Sequence, residues 1–154
     1  MKLPILPDKI EKQIELKAPV SRVWRALTDY REFSQWFRVN LEGPFVVGQV
    51  TRGNSTYPRY EHLKMEVVVQ KMEPEQLFAF TWHPAALDSE RDYTSEPSTL
   101  VEFRLEETAD GTLLTVTESG FSKLPADRRD EAFRLNEDGW SEQLQNIARH
   151  VEES

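Results

Sequence analysis

Glu118 is the residue in this chain best placed to do chemistry. In the run Thr112–Phe121, Leu114, Val116 and Glu118 fall on one face, because successive side chains of a strand point to opposite sides. If that face is turned inward, an acid stands at the end of an apolar stripe. A charge buried there is costly unless it is paired, protonated or wet. An inward carboxylate could hold a ligand hydroxyl or amine, or work as a general acid or base. The structural alternative is that an Arg or a Trp N–H satisfies it. Of the three histidines, His62 opens a strand, His83 ends one, and His150 lies in the last turns of a helix. They show no HxH or HExxH spacing, so no metal site is expected. His83 is the strongest of the three. It lies between Trp82 and Pro84 at the mouth of a long connection, on the strand face opposite Phe80 and Trp82.

The second signal is aromatic. Trp36, Phe37, Phe78, Phe80, Trp82, Phe103, Phe121 and Trp140 come from every major element. Such a set usually makes a core, but aromatic side chains also line apolar pockets and fix a ligand with their polar ends. Trp24, among Val20, Val23 and Leu27, reads as core packing.

The elements that must position these residues follow from periodicity. Lys9–Lys17 places Ile14 and Leu16 at a period of two, a half-buried strand. Val20–Asp29 changes to helical steps after Pro19, with Ser21 as a possible cap. Tyr30–Phe37 reads as a second short helix. Strands are expected at Arg38–Leu41, Val46–Arg52, Leu63–Met72, Leu77–His83, Thr99–Glu106 and Thr112–Phe121, with Glu73-Pro74-Glu75 and Ala109-Asp110-Gly111 as turns. Short turns between consecutive strands imply antiparallel pairing. A long helix is expected over Ala126–Val151, where Phe133, Trp140, Leu144, Ile147 and Val151 recur at three- and four-residue steps. Gly139 inside it suggests either a close approach to another element or a neutral surface position. Asp127-Arg128-Arg129-Asp130-Glu131 reads as a solvated helix start. The connection Pro84–Ser98 is long for a hairpin, and its only aromatic, Tyr93, could fold over a cavity as a lid; a passive insertion reads slightly better.

The 154 residues suit one domain spanning 1–154. There is no cysteine, which removes disulfides, thiolate catalysis and zinc–cysteine sites. A net charge of −8 without a basic stripe argues against nucleic acid. No apolar run approaches the roughly 20 residues of a membrane span, and the start MKLPILPDKI does not read as a signal peptide, so a cytoplasmic location is expected. No GxSxG, P-loop or CxxC is present.

Three blocks carry a resemblance: APVSRVWRALTDYREFSQWF at Ala18–Phe37, STLVEFRLEETADGTLLTVTESGF at Ser98–Phe121, and NEDGWSEQLQNIARHV at Asn136–Val151. They resemble the SRPBCC, or START-like and birch-pollen-allergen-like, superfamily. Within it the chain is similar to the family named after the activator of the ninety-kilodalton heat-shock-protein ATPase. The resemblance implies an α+β helix-grip fold, a curved antiparallel sheet wrapped around the C-terminal helix with two short helices after the first strand. It also implies a cavity between the two, and a heat-shock chaperone as one possible partner. The eukaryotic activators carry an additional N-terminal domain that these residues do not contain. His83–Phe103 and the helix block Asn136–Val151 are also similar to a bacterial subgroup often labelled vanillate O-demethylase oxidoreductase. A reductase of that type needs flavin, nicotinamide and an iron–sulfur cluster, and a chain without cysteine or GxGxxG offers no place for them.

The sequence therefore reads first as a non-catalytic binder of a small apolar, aromatic or lipid-like molecule, with no cofactor. The candidate ligand-binding residues are Trp36, Phe37, Phe80, Trp82, His83, Phe103, Glu118, Phe121 and Trp140. Two alternatives stand beside it: a cyclase, dehydratase or hydrolase using Glu118 and His83, and a co-chaperone-like module. The oligomeric state is left open.

Overall fold

A computed structural model describes residues 7–84, 92, 93 and 95–153. The chain runs β1 (Lys9–Leu16), α1 (Val20–Thr28), α2 (Tyr30–Phe37), β2 (Val39–Leu41), β3 (Val50–Ser55), β4 (Lys64–Glu73), β5 (Leu77–Trp82), β6 (Thr99–Thr108), β7 (Gly111–Ser119), a 3-10 turn (Phe121–Lys123) and α3 (Ala126–Glu152). Seven strands form one curved antiparallel sheet in the order β1-β7-β6-β5-β4-β3-β2. This is the α+β helix-grip arrangement that the sequence implies.

Alternation decides which residues face α3. Residues directly opposite in an antiparallel pair share a face. Val101 lies opposite Glu118, Phe103 opposite Val116 and Leu105 opposite Leu114. One register step on, Phe78 faces Phe103, Phe80 faces Val101 and Trp82 faces Thr99. The inner face of β5, β6 and β7 is thus a continuous buried surface with Glu118 set in it. A bulge between Val69 and Lys71 in β4 shifts the register. That extra residue brings Met72, three positions after Val69, round to the face of Val67 and Val69.

The turn between β6 and β7 is tight, with Thr108 opposite Gly111. A side chain at Gly111 would collide with the Leu16 carbonyl, which explains the glycine there. Helix α2 is capped by Asp29, whose carboxylate accepts the Arg31 N–H at 2.9 Å, and it closes with Arg38 in the left-handed region (φ 63°).

Several expectations change. Ser21 does not cap α1. It lies inside the helix, and the Pro19 carbonyl takes the first N–H groups, from Arg22 at 2.9 Å and Val23 at 3.1 Å. β3 begins at Val50 rather than Val46, because Val46 to Gln49 close a turn through Gly48 at φ 82°. Phe121 falls past the end of β7, beyond Gly120 at φ 106°. Gly139 makes no close approach, since a Cβ there would meet nothing within 4 Å. Arg128 is buried rather than solvated: it pairs with Glu96 at 2.9 Å, donates to the Pro84 carbonyl at 3.0 Å, and lies 4.6 Å over the Tyr93 ring. Tyr93 is thus held against the start of α3. Of the proposed lid, Pro84–Ser98, residues 85–91 and 94 lie outside the described residues.

Candidate functional site

Glu118 enters the site from β7, Thr99 from β6, Trp82 from β5, and Asn136 and Trp140 from α3. Asn136 and Trp140 are four residues apart, so both point from one face of the helix. The Glu118 side chain is fully buried. Its Oε1 accepts the Trp140 indole N–H at 2.8 Å and the Asn136 amide at 2.9 Å. Its Oε2 accepts the Trp82 indole N–H at 2.7 Å, the Thr99 hydroxyl at 2.5 Å and the Asn136 amide at 3.1 Å. Every partner is a neutral donor. Among the described residues no Lys, Arg or His pairs with this carboxylate. The arrangement satisfies the acceptors and leaves the charge without a counter-ion.

The two indoles that share Glu118 are stacked, with centroids 5.8 Å apart and planes at 27°. Phe37 meets both, at 6.1 Å from Trp82 and 6.2 Å from Trp140. Behind them Phe80, Phe103 and Phe78 continue the ring-to-ring contacts, so aromatic side chains fill the interval between this part of the sheet and α3. Beside Glu118 the structure opens as a cleft of about 230 Å³, lined by Phe37, Tyr57, Trp82, Asn136, Gly139, Trp140, Glu142 and Gln143. Gln143 is held in place, its amide donating to the Phe37 carbonyl at 3.1 Å and its oxygen accepting from Asn146 at 3.1 Å.

The candidate residues therefore separate. Phe37, Trp82 and Trp140 line the cleft, with Glu118 joined to both tryptophans. Phe80 and Phe103 are fully buried behind this wall. Trp36 does not line the cleft, and its indole N–H goes to the Ala26 carbonyl at 2.8 Å. Phe121 is outside it as well, packed edge-on against Phe133 at 5.3 Å. His83 lies next in sequence to Trp82 but does not line the cleft, and its buried Nδ1 has no partner. His62 is exposed. Sequence reasoning missed Thr99, Asn136, Tyr57 and Gln143. Asn136 had a signal, four residues before Trp140 on the same helix face. Thr99 had none without the strand register that sets it opposite Trp82.

A second carboxylate gathers His150. Glu32 accepts from Arg22 at 2.6 Å, Arg25 at 2.8 Å and His150 Nε2 at 2.9 Å, joining α1, α2 and α3. Burial pushes its carboxyl up, but the hydrogen bonds from His150 and Arg22, with the charges of Arg22 and Arg25, outweigh that and hold it below the ordinary range.

Solved structures share this fold. DynU16, a protein of the dynemicin biosynthetic locus, matches with a TM-score of 0.74 and 27% identity over 96% of this chain. The chain spans 48% of the length of DynU16. A protein from Arthrobacter aurescens matches with a TM-score of 0.77 at 20% identity, covering 96% of this chain and 87% of its own. MLL2253 from Mesorhizobium loti matches with a TM-score of 0.75 at 20% identity, covering 95% and 98%. No curated protein matches the chain. No helix among the described residues is long and apolar enough to cross a membrane. The profile of the family described as Activator of Hsp90 ATPase homolog 1-like protein matches residues 17–152, nearly the whole chain, and the protein belongs to that family.

Proposed function

We propose that the chain binds a small, flat, largely apolar molecule in the cleft between α2, β5 and α3. The observation that carries this is the aromatic lining of the cleft around a carboxylate already engaged by its own protein. The indole N–H groups of Trp82 and Trp140 are committed to Glu118. What a guest meets is therefore ring surface, with Asn136, Gln143 and Glu142 as polar groups to orient it.

The same geometry weighs against the cyclase, dehydratase or hydrolase alternative. A general base needs a free lone pair within hydrogen-bond reach of the proton it takes. Both oxygens of Glu118 are occupied by donors inside the protein. Glu118 acts here as a positioning residue that fixes the two tryptophan rings.

The test uses Gly139. A Cβ at this position meets nothing within 4 Å, and the glycine lines the cleft. Gly139→Leu should fill the cleft without a backbone clash and should favour the helix. Bicyclic aromatic probes, neutral and charged, are titrated while the indole N–H resonances of Trp82 and Trp140 are followed. Binding should move both resonances in the native protein and weaken at least about tenfold in Gly139→Leu. If no probe moves them, or if Gly139→Leu binds as well as the native chain, the cleft is not the site.

A further inference from the structure

The cleft has a charge preference as well as a shape. We infer that its guest is a flat organic cation, a quaternised nitrogen heterocycle or an aryl ammonium. This rests on the reading that the cleft is a binding site, and adds the class of ligand it would take.

Two observations point the same way. First, every hydrogen bond at the buried Glu118 is donated to it by a neutral group (two indoles, an amide and a hydroxyl), the arrangement that suits an ionised carboxylate and supplies no counter-ion. Hydrogen bonds stabilise that charge without cancelling it, so its field persists into the adjoining space, where water screens it poorly. Second, the groups that carry the charge outward are the cleft walls themselves. An indole whose N–H is given to a carboxylate is polarised toward greater electron density on its ring. The attraction of a cation to a tryptophan face comes from that density. Trp82 and Trp140 are both in this state and both line the cleft.

The rim agrees. Among the described lining residues the only carboxylic acid is Glu142, and none is Lys, Arg or His. Asn136 gives its amide N–H groups to Glu118, which leaves its carbonyl oxygen as a further acceptor. Arg38, which does not line the cleft, lies 5.1 Å over the ring of Tyr57, which does. It shows that an aromatic group of this cleft already holds a planar cation. An anionic guest would instead meet Glu142 and the field of Glu118.

The test keeps the native chain, because Glu118→Gln would disturb the hub that fixes both walls. Three probes of matched shape are titrated by calorimetry, with the Trp82 and Trp140 indole resonances as the local readout: 1-methylquinolinium, the neutral 1-methylnaphthalene, and anionic 1-naphthoate. The cation should bind about tenfold tighter than its neutral counterpart, and the anion weakest. Equal affinity for cation and neutral probe, or tightest binding of naphthoate, overturns the charge assignment and leaves the cleft reading standing. If none of the three moves either indole resonance, both fail together.

Discussion

The chain sets two glutamates against the same helix, one part-exposed and one buried, and treats them in opposite ways. Glu32 meets α3 near its C-terminal end and is contacted by two guanidinium groups, Arg22 and Arg25, and by the His150 ring. Glu118 meets α3 at Asn136 and Trp140, about three to four turns before His150, and is surrounded by neutral donors only. The first cluster pairs its carboxylate with charge and ties α1, α2 and α3 together. The second is satisfied in hydrogen bonds yet still charged, and it adjoins a cleft. A carboxylate paired with charge is what a structural joint needs. A charge kept uncompensated behind aromatic walls is costly for stability alone and useful where something must be attracted.

The most severe way to break this contrast is Glu118→Gln. The amide nitrogen must face indole, amide or hydroxyl donors, so at least one buried N–H loses its acceptor. We expect a loss of about 3 kcal/mol in urea unfolding, with altered indole N–H resonances at both Trp82 and Trp140. A change under about 1 kcal/mol would mean that the carboxylate is not the hub. Trp82→Phe is milder. It removes one donor from Oε2 while Thr99 and Asn136 remain. A loss of about 1.5 kcal/mol is expected, together with weaker binding of any bicyclic probe.

These two residues also show how far the sequence could be read. The inward turn of Glu118 was legible, because Leu114, Val116 and Glu118 keep a strict period of two. So were the long helix and both tryptophans. Of the groups that satisfy the carboxylate, a Trp N–H was foreseen, whereas Thr99 and Asn136 were not. The partners come from three elements, and Thr99 joins them only through the pairing that sets it opposite Trp82. Phe121 misled because it was read as the last residue of β7, where a period of two would turn it away from Glu118; Gly120 at φ 106° instead ends the strand and sends the ring toward Phe133. Arg128 misled because its neighbours are charged. Burial of a guanidinium depends on Glu96 and Tyr93, more than thirty residues away and brought close only by folding. Periodicity reports the face a residue occupies; it does not report which distant group meets it there.

The Glu32 cluster should respond to acid. Its carboxyl lies below the ordinary range in the folded state, so the stability it contributes is present above the unfolded value and disappears as pH falls through the folded one. Glu32→Gln should cost about 1 kcal/mol at neutral pH, a modest figure because the side chain is part-exposed and Arg25 is mostly in solvent. The gap between native and variant should close below about pH 4. Asp8 shifts in the same direction, chiefly through the Ser122 hydroxyl and N–H, so the native chain loses stability in acid even without Glu32. The readout is therefore the difference between the two unfolding curves. A gap that stays constant down to pH 3 would show that Glu32 is not held by its cations.

The smallest effect separates helix stability from the cleft. Gly139 lies in α3 three residues after Asn136, directly before Trp140 and four before Gln143, with nothing near its missing side chain. Gly139→Ala adds one methyl group, restricts the unfolded chain and should stabilise the protein by about 0.5–1 kcal/mol. It touches neither carboxylate, so the acid response of Glu32 and the indole resonances coupled to Glu118 should keep their native form. Alanine fills little of a cleft of about 230 Å³, whereas leucine fills much of it. Probe affinity should therefore fall slightly with alanine and strongly with leucine, while thermal stability rises in both. If alanine already abolishes binding, the guest lies directly on the backbone of α3 rather than among the rings, and the tryptophan walls lose their assigned part.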